Sequence, residues 1–97
     1  LIELPKWRKM MDFSDALFEI KEGNRMTREG WNGADQFIFL VPGSTFTVDR
    51  PPLLGIYPEG TVINYLPHID IRNAQGTIVP WLASQGDLMA EDWTYAK

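Results

Sequence analysis

The chain has no cysteine and one histidine in 97 residues, which excludes disulfides, thiol nucleophiles and thiolate metal sites. His68 and Asp70 share a strand face by alternation, but two ligands are too few for a metal site. The longest apolar run, residues 37–41, falls far short of the ~20 residues that a membrane helix needs. No charged, apolar and small-residue leader pattern opens the chain, so neither membrane insertion nor secretion is expected. Cations are scarce too: 9 lysines and arginines stand against 13 acidic residues, for a net charge of −4. A nucleic acid polymer is therefore not expected as a partner, because gripping a long phosphate backbone takes clustered cations. The sequence contains no Gly-x-Ser-x-Gly elbow, no phosphate loop with Gly-Lys-Ser/Thr and no Rossmann glycine pattern. Glu91 and Asp92 read as a capping, solvated pair and not as an acid and base. These gaps argue against an enzyme, a metalloprotein or a cofactor carrier.

What remains is a globular composition, 44% hydrophobic, 12% aromatic and 23% charged. The expected organisation is a single domain over 11–97, with 1–10 as an N-terminal extension. Asp12 can cap a helix with Asp15 as its capping-box partner, and Phe13, Ala16, Leu17 and Ile20 then fall on one face. Lys21 and Gly23 suit the helix end, while Phe18 falls off the apolar face. Strands are expected at 25–28, 36–41, 45–49, 61–66, 68–72 and 92–95, with 45–49 half-buried through Phe46 and Val48. Residues 50–60 hold too many prolines for a central strand, yet Leu53, Leu54, Ile56 and Tyr57 are too apolar for an idle loop. They read as an arm packed on its own domain or on a neighbouring subunit. Residues 73–76 form a turn, and pairing Arg72 with Thr77 would put Trp81 on the same face as His68 and Asp70. The fold class is α+β, a small antiparallel sheet packed on an N-terminal helix, with a short C-terminal helix over 85–90.

Two tryptophan stretches stand out. In Gly30-Trp31-Asn32-Gly33 the glycines supply the backbone freedom of a tight turn, which places Trp31 at a strand end. In the second, Pro80 interrupts a strand just before Trp81, and Ser84 is placed to cap the short helix. An indole beside hydrogen-bond donors suits a planar base joined to a phosphate, since stacking contributes about 1–3 kcal/mol per base. The expected ligand contacts are Trp31, Trp81, Asn32, Ser84 and Gln85, with Arg28 first choice for phosphate among Arg25, Arg28, Arg50 and Arg72. Each tryptophan read alone is more often a core or interface residue.

Taken together, Met11-Asp12-Phe13-Ser14-Asp15-Ala16-Leu17, Lys21, Gly23, Arg28, Gly30-Trp31-Asn32-Gly33, Gly76-Thr77-Ile78-Val79-Pro80-Trp81 and the segment 84–93 carry a resemblance. The chain resembles the type-two Thoeris anti-defence proteins, small phage or prophage domains, from about residue 11 to residue 93. That resemblance implies a homotetrameric sponge in the cytoplasm of an infected bacterial cell. It would bind and sequester a cyclic ADP-ribose-like signal made by a Thoeris TIR enzyme, without cleaving it, and some members hold cyclic dinucleotides at a second site. Two other readings stand beside it: a nucleotide-processing enzyme using acidic residues, and a structural phage or prophage oligomer without ligand.

Overall fold

A computed structural model describes residues 11–31 and 35–97. The expected extension 1–10, and Asn32 and Gly33 of the first tryptophan turn, lie outside the described residues. Helix α1 spans Phe13–Lys21. It starts where the sequence places it, because Asp12 Oδ1 accepts from Asp15 N at 3.0 Å and Asp15 Oδ2 accepts from Asp12 N at 3.2 Å. Such a capping box satisfies two otherwise orphaned donors. The helix ends at Glu22, and Gly23 follows with φ 95, a left-handed conformation that costs glycine little. Ala16 and Ile20 are fully buried, Leu17 is half-buried and Phe18 lies exposed.

Seven strands follow: β1 Met26–Arg28, β2 Phe37–Val41, β3 Ser44–Thr47, β4 Val62–Tyr65, β5 His68–Arg72, β6 Ile78–Pro80 and β7 Trp93–Tyr95, with helix α2 Gln85–Met89 before the last. Five of them form one antiparallel sheet in the order β6-β5-β2-β1-β7. Alternation gives the sheet two unlike faces. Met26, Ile38 and Ile71 lie in register across β1, β2 and β5 and point at α1. There Met26 and Ile38 join Met11, Ala16, Ile20 and Trp93 to make the core, flanked by Phe13, Leu40, Ile69 and Ile71. Burying each large apolar side chain contributes about 1.5–3 kcal/mol.

The structure corrects the expected register of the β5–β6 hairpin. Arg72 pairs with Ile78, not Thr77, and Trp81 N donates to Ile69 O. The cause is the Asn73 side chain, whose Oδ1 accepts from both Gln75 N at 3.1 Å and Thr77 N at 3.0 Å. This sets Asn73 opposite Thr77, with Gly76 at φ 83 making the turn back. A one-residue slip exchanges the faces of a strand, so Trp81 joins the core side and not His68 and Asp70.

A second correction concerns β3. It pairs only with β4, in a two-stranded sheet apart from the main one, and β4 touches β5 through the Tyr65 ring, 5.2 Å from that of His68. Every residue of β3 is exposed, so the expected half-buried strand is instead half of a two-stranded hairpin outside the main sheet. Val48, just past β3, is the exception at 2% exposure. Its N–H donates to Thr61 O and its carbonyl accepts from Gly60 N, which closes the arm's base. Within the arm Leu53 is half-buried, but Leu54, Ile56 and Tyr57 are exposed. No helix among the described residues is long and apolar enough to cross a membrane.

Candidate functional site

Beside the α1 face of the sheet, the ends of β1 and β7 meet α2, and four aromatic rings gather there. Trp93 is their centre, 1% exposed. Its ring lies 5.3 Å from Trp31 and 6.1 Å from Trp81, both edge-on, and 5.5 Å from Phe13. Edge-to-face geometry at these spacings contributes about 0.5–1.5 kcal/mol per pair beyond burial. Trp31 and Trp81 differ from Trp93 in being only half-buried, although both pack on the core.

Around the rings runs a polar cluster. Arg28, opposite Trp93 across the β1–β7 ladder, donates from Nε to Asp92 Oδ1 at 2.8 Å and from Nη1 to Asp87 Oδ1 at 2.9 Å. Asp87 Oδ1 also accepts from the Trp31 indole N–H at 3.0 Å, and its Oδ2 accepts from Ser84 N at 3.1 Å. The Asp87 N–H donates to Ser84 Oγ, and its carbonyl accepts from the Trp93 indole N–H, each at 3.0 Å. Asp92 Oδ2 takes the Gly30 N–H at 2.8 Å. A Cβ on Gly30 would stand 2.7 Å from that oxygen, so only glycine permits the approach.

The charges answer these contacts. Burial alone pushes the Asp87 carboxyl up, but hydrogen bonds from Trp31, Ser84 and Arg28 outweigh it and hold the group below the ordinary aspartate range. The Asp92 carboxyl is held low chiefly by its bond from Arg28, assisted by Gly30 N–H and opposed by burial. Arg28 is correspondingly raised, first by Asp92, with burial opposing and Asp87 adding to it. One guanidinium thus serves two carboxylates, and the cluster has no positive charge to spare.

The structure brings Arg28, Trp31, Ser84 and Trp81 to this one place. Gln85 follows Ser84 as the exposed first residue of α2, while Asn32 lies outside the described residues. Glu91 and Asp92 do not behave as a solvated pair, because Asp92 is bound to Arg28 and Gly30. Sequence reading missed Asp87 and Asp92 as the hub. Asp87 left one signal, since Ser84-x-x-Asp87 matches the capping-box spacing that the structure shows; Asp92 left none.

The other arginines lie elsewhere. Arg50 is exposed near Asp49. Arg25 sits over the Phe37 ring at 5.1 Å, and Arg72 Nη1 donates to Asp35 O at 2.8 Å. With Thr27, Thr94 and Lys97 these two line an open groove of about 600 Å³. On the same outer face His68 Nε2 stands 3.4 Å from Asp70 Oδ1, and no group of three or more metal-ligating side chains occurs among the described residues.

Comparison with known proteins gives two results. The family model described as the Thoeris anti-defense 2-like domain matches residues 11–96. The protein Thoeris anti-defense 2 of Bacillus phage SP01 is 36% identical over 83 residues, which cover 86% of this chain and 91% of that protein.

Proposed function

The chain belongs to the Thoeris anti-defense 2-like family, and from that premise we propose that it serves a phage against host defence by sequestering a small immune signal. The signal is a cyclic ADP-ribose-like nucleotide, the product of a Thoeris TIR enzyme. It is held and not cleaved. The observation that carries the reading is that Trp31 and Trp81 are both half-buried on a fully buried Trp93. Rigidly backed indoles with accessible surface suit base stacking, which contributes about 1–3 kcal/mol per base. Ser84 and Gln85 are the nearby polar residues that would orient it, and Asn32 follows Trp31 in the sequence.

The Arg28 cluster has no positive charge to spare for the phosphates, so stacking and polar contacts carry the capture. Arg25 and Arg72 lie in the groove on the opposite, outer face of the sheet from the tryptophans, where they suit a second ligand such as a cyclic dinucleotide. The working form is a homotetramer in the host cytoplasm. Ile56, Tyr57, Val62, Tyr65 and Leu66, between 44% and 75% exposed, offer more apolar surface along one hairpin than a lone chain should leave in water.

The test is to incubate the protein with cyclic ADP-ribose, its linkage isomers and cyclic dinucleotides, remove free ligand, denature, and identify what is released. Recovery of an intact cyclic nucleotide is expected. Release of a linear product would favour an enzyme, and release of nothing across the panel would overturn the reading.

A further inference from the structure

Asp87 and Asp92 each accept from both Arg28 and the segment that carries Trp31, Asp92 on separate oxygens and Asp87 on Oδ1 alone. Asp92 holds that segment by its backbone, through Gly30 N–H at 2.8 Å. Asp87 holds it by its side chain, through the Trp31 indole N–H at 3.0 Å. Arg28 ties the two carboxylates together with two different nitrogens, a span that a planar guanidinium makes and a single ammonium does not. Asp87 is anchored in turn by both bonds to Ser84 and by the Trp93 indole N–H on its carbonyl. At 9% exposure it offers a ligand almost nothing to touch. Backbone, ring nitrogen and ring edge of Trp31 are therefore all fixed before anything binds.

We propose that Asp87, Asp92 and Arg28 are positioning residues for nucleotide capture, which hold the Trp31 indole in its binding orientation and do not themselves contact the ligand. This rests on the reading above that Trp31 stacks on the base. Holding an aromatic ring ready removes the ordering cost that binding otherwise meets, and the bond to Trp31 is the part of the cluster through which Asp87 reaches the ligand. Asp87→Asn keeps an acceptor of the same shape but loses the charge that serves Arg28 and the indole together.

A double-mutant cycle between Asp87→Asn and Trp31→Phe tests this in the full chain, with cyclic ADP-ribose and its linkage isomers as probes. Phenylalanine can stack but has no ring N–H for Asp87 to hold. In the wild-type background Asp87→Asn should weaken binding about two- to twelve-fold, the range expected for one freed side chain. In the Trp31→Phe background the same change should cost nothing further. An equal loss in both backgrounds would show that Asp87 acts on the ligand or on the whole fold, and would overturn the proposal. Arg28→Lys, which keeps the charge without the span, should reproduce the Asp87→Asn loss; wild-type affinity in the folded Lys variant would also overturn it. The Trp31 indole ¹H–¹⁵N resonance, assigned with Trp31→Phe, reports the positioning without ligand. It should move in Asp87→Asn. If it moves but no probe binds even the wild-type chain, the sequestration reading fails while Asp87 still positions the ring; if it stays, the positioning claim fails whatever binds.

Discussion

Three tryptophans in one cluster behave differently because they are buried differently. Trp93 is at the centre, 1% exposed, with its indole N–H committed to the Asp87 carbonyl. Trp93→Ala should cost about 3–5 kcal/mol, a large part of the 5–15 kcal/mol that a typical domain has, and thermal melting should show a chain that barely folds. Trp31→Ala and Trp81→Ala remove half-buried rings and should leave a folded protein. Their effect should fall on nucleotide affinity, a loss of about five- to 150-fold if each stacks on a base. Titration and melting on the same variants separate the two roles. Wild-type affinity in folded Trp31→Ala and Trp81→Ala proteins would remove both residues from the site.

At the scale of elements, what the sequence made legible was local. Helix α1 could be bounded because Asp12, Asp15 and Gly23 are its own punctuation, and strands β2 and β5 because their apolar and alternating runs are continuous. The β5–β6 register was not legible, since it depends on whether Asn73 lends its side chain to two backbone donors, and composition places Asn73 in a turn either way. Asn73→Ala removes the acceptor of both bonds; at about 0.5–1.5 kcal/mol net per hydrogen bond, the melting temperature should fall by several degrees. The candidate site was legible in part. Trp31, Trp81 and Ser84 stand out as residue types beside turns, but the bonds joining Arg28 to Asp87 and Asp92 cross 59 and 64 positions, and no local pattern announces a partner so distant. The β3–β4 hairpin was misjudged for a related reason. Alternation of Phe46 and Val48 shows that one side is apolar, not how much of it this chain covers, and here Val48 is buried while Phe46 is exposed.

For the whole molecule, two measurable properties follow. The first is its response to acid. Asp87 and Asp92 titrate lower in the folded chain than in the unfolded one. Their contribution is therefore complete above the ordinary aspartate pKa of about 3.9 and is lost as pH falls through their lower folded values. The melting temperature should drop below about pH 4, and Asp87→Asn should melt lower at neutral pH with a shallower acid decline; parallel acid profiles would deny the linkage. The second is mass. Light scattering should give a multiple of 11.1 kDa, four-fold on the proposed tetramer, and charged substitutions at Ile56 and Tyr57 should lower it. A wild-type monomer at micromolar concentration would refute the assembly.

The site is also a seam. Its bonds join residues 56 to 64 positions apart, so most of the chain must be drawn into a loop before they form, and such long-range closures come late in folding. Once closed, the same bonds hold β7 at the edge of the sheet and α2 beside it. Opening there would release Trp31, the α2 segment and the last strand together, as one cooperative unit of the kind that hydrogen exchange detects. A nucleotide wedged between Trp31 and Trp81 would bridge both banks of the seam, and the time it stays bound would set how often the molecule's edge can come undone.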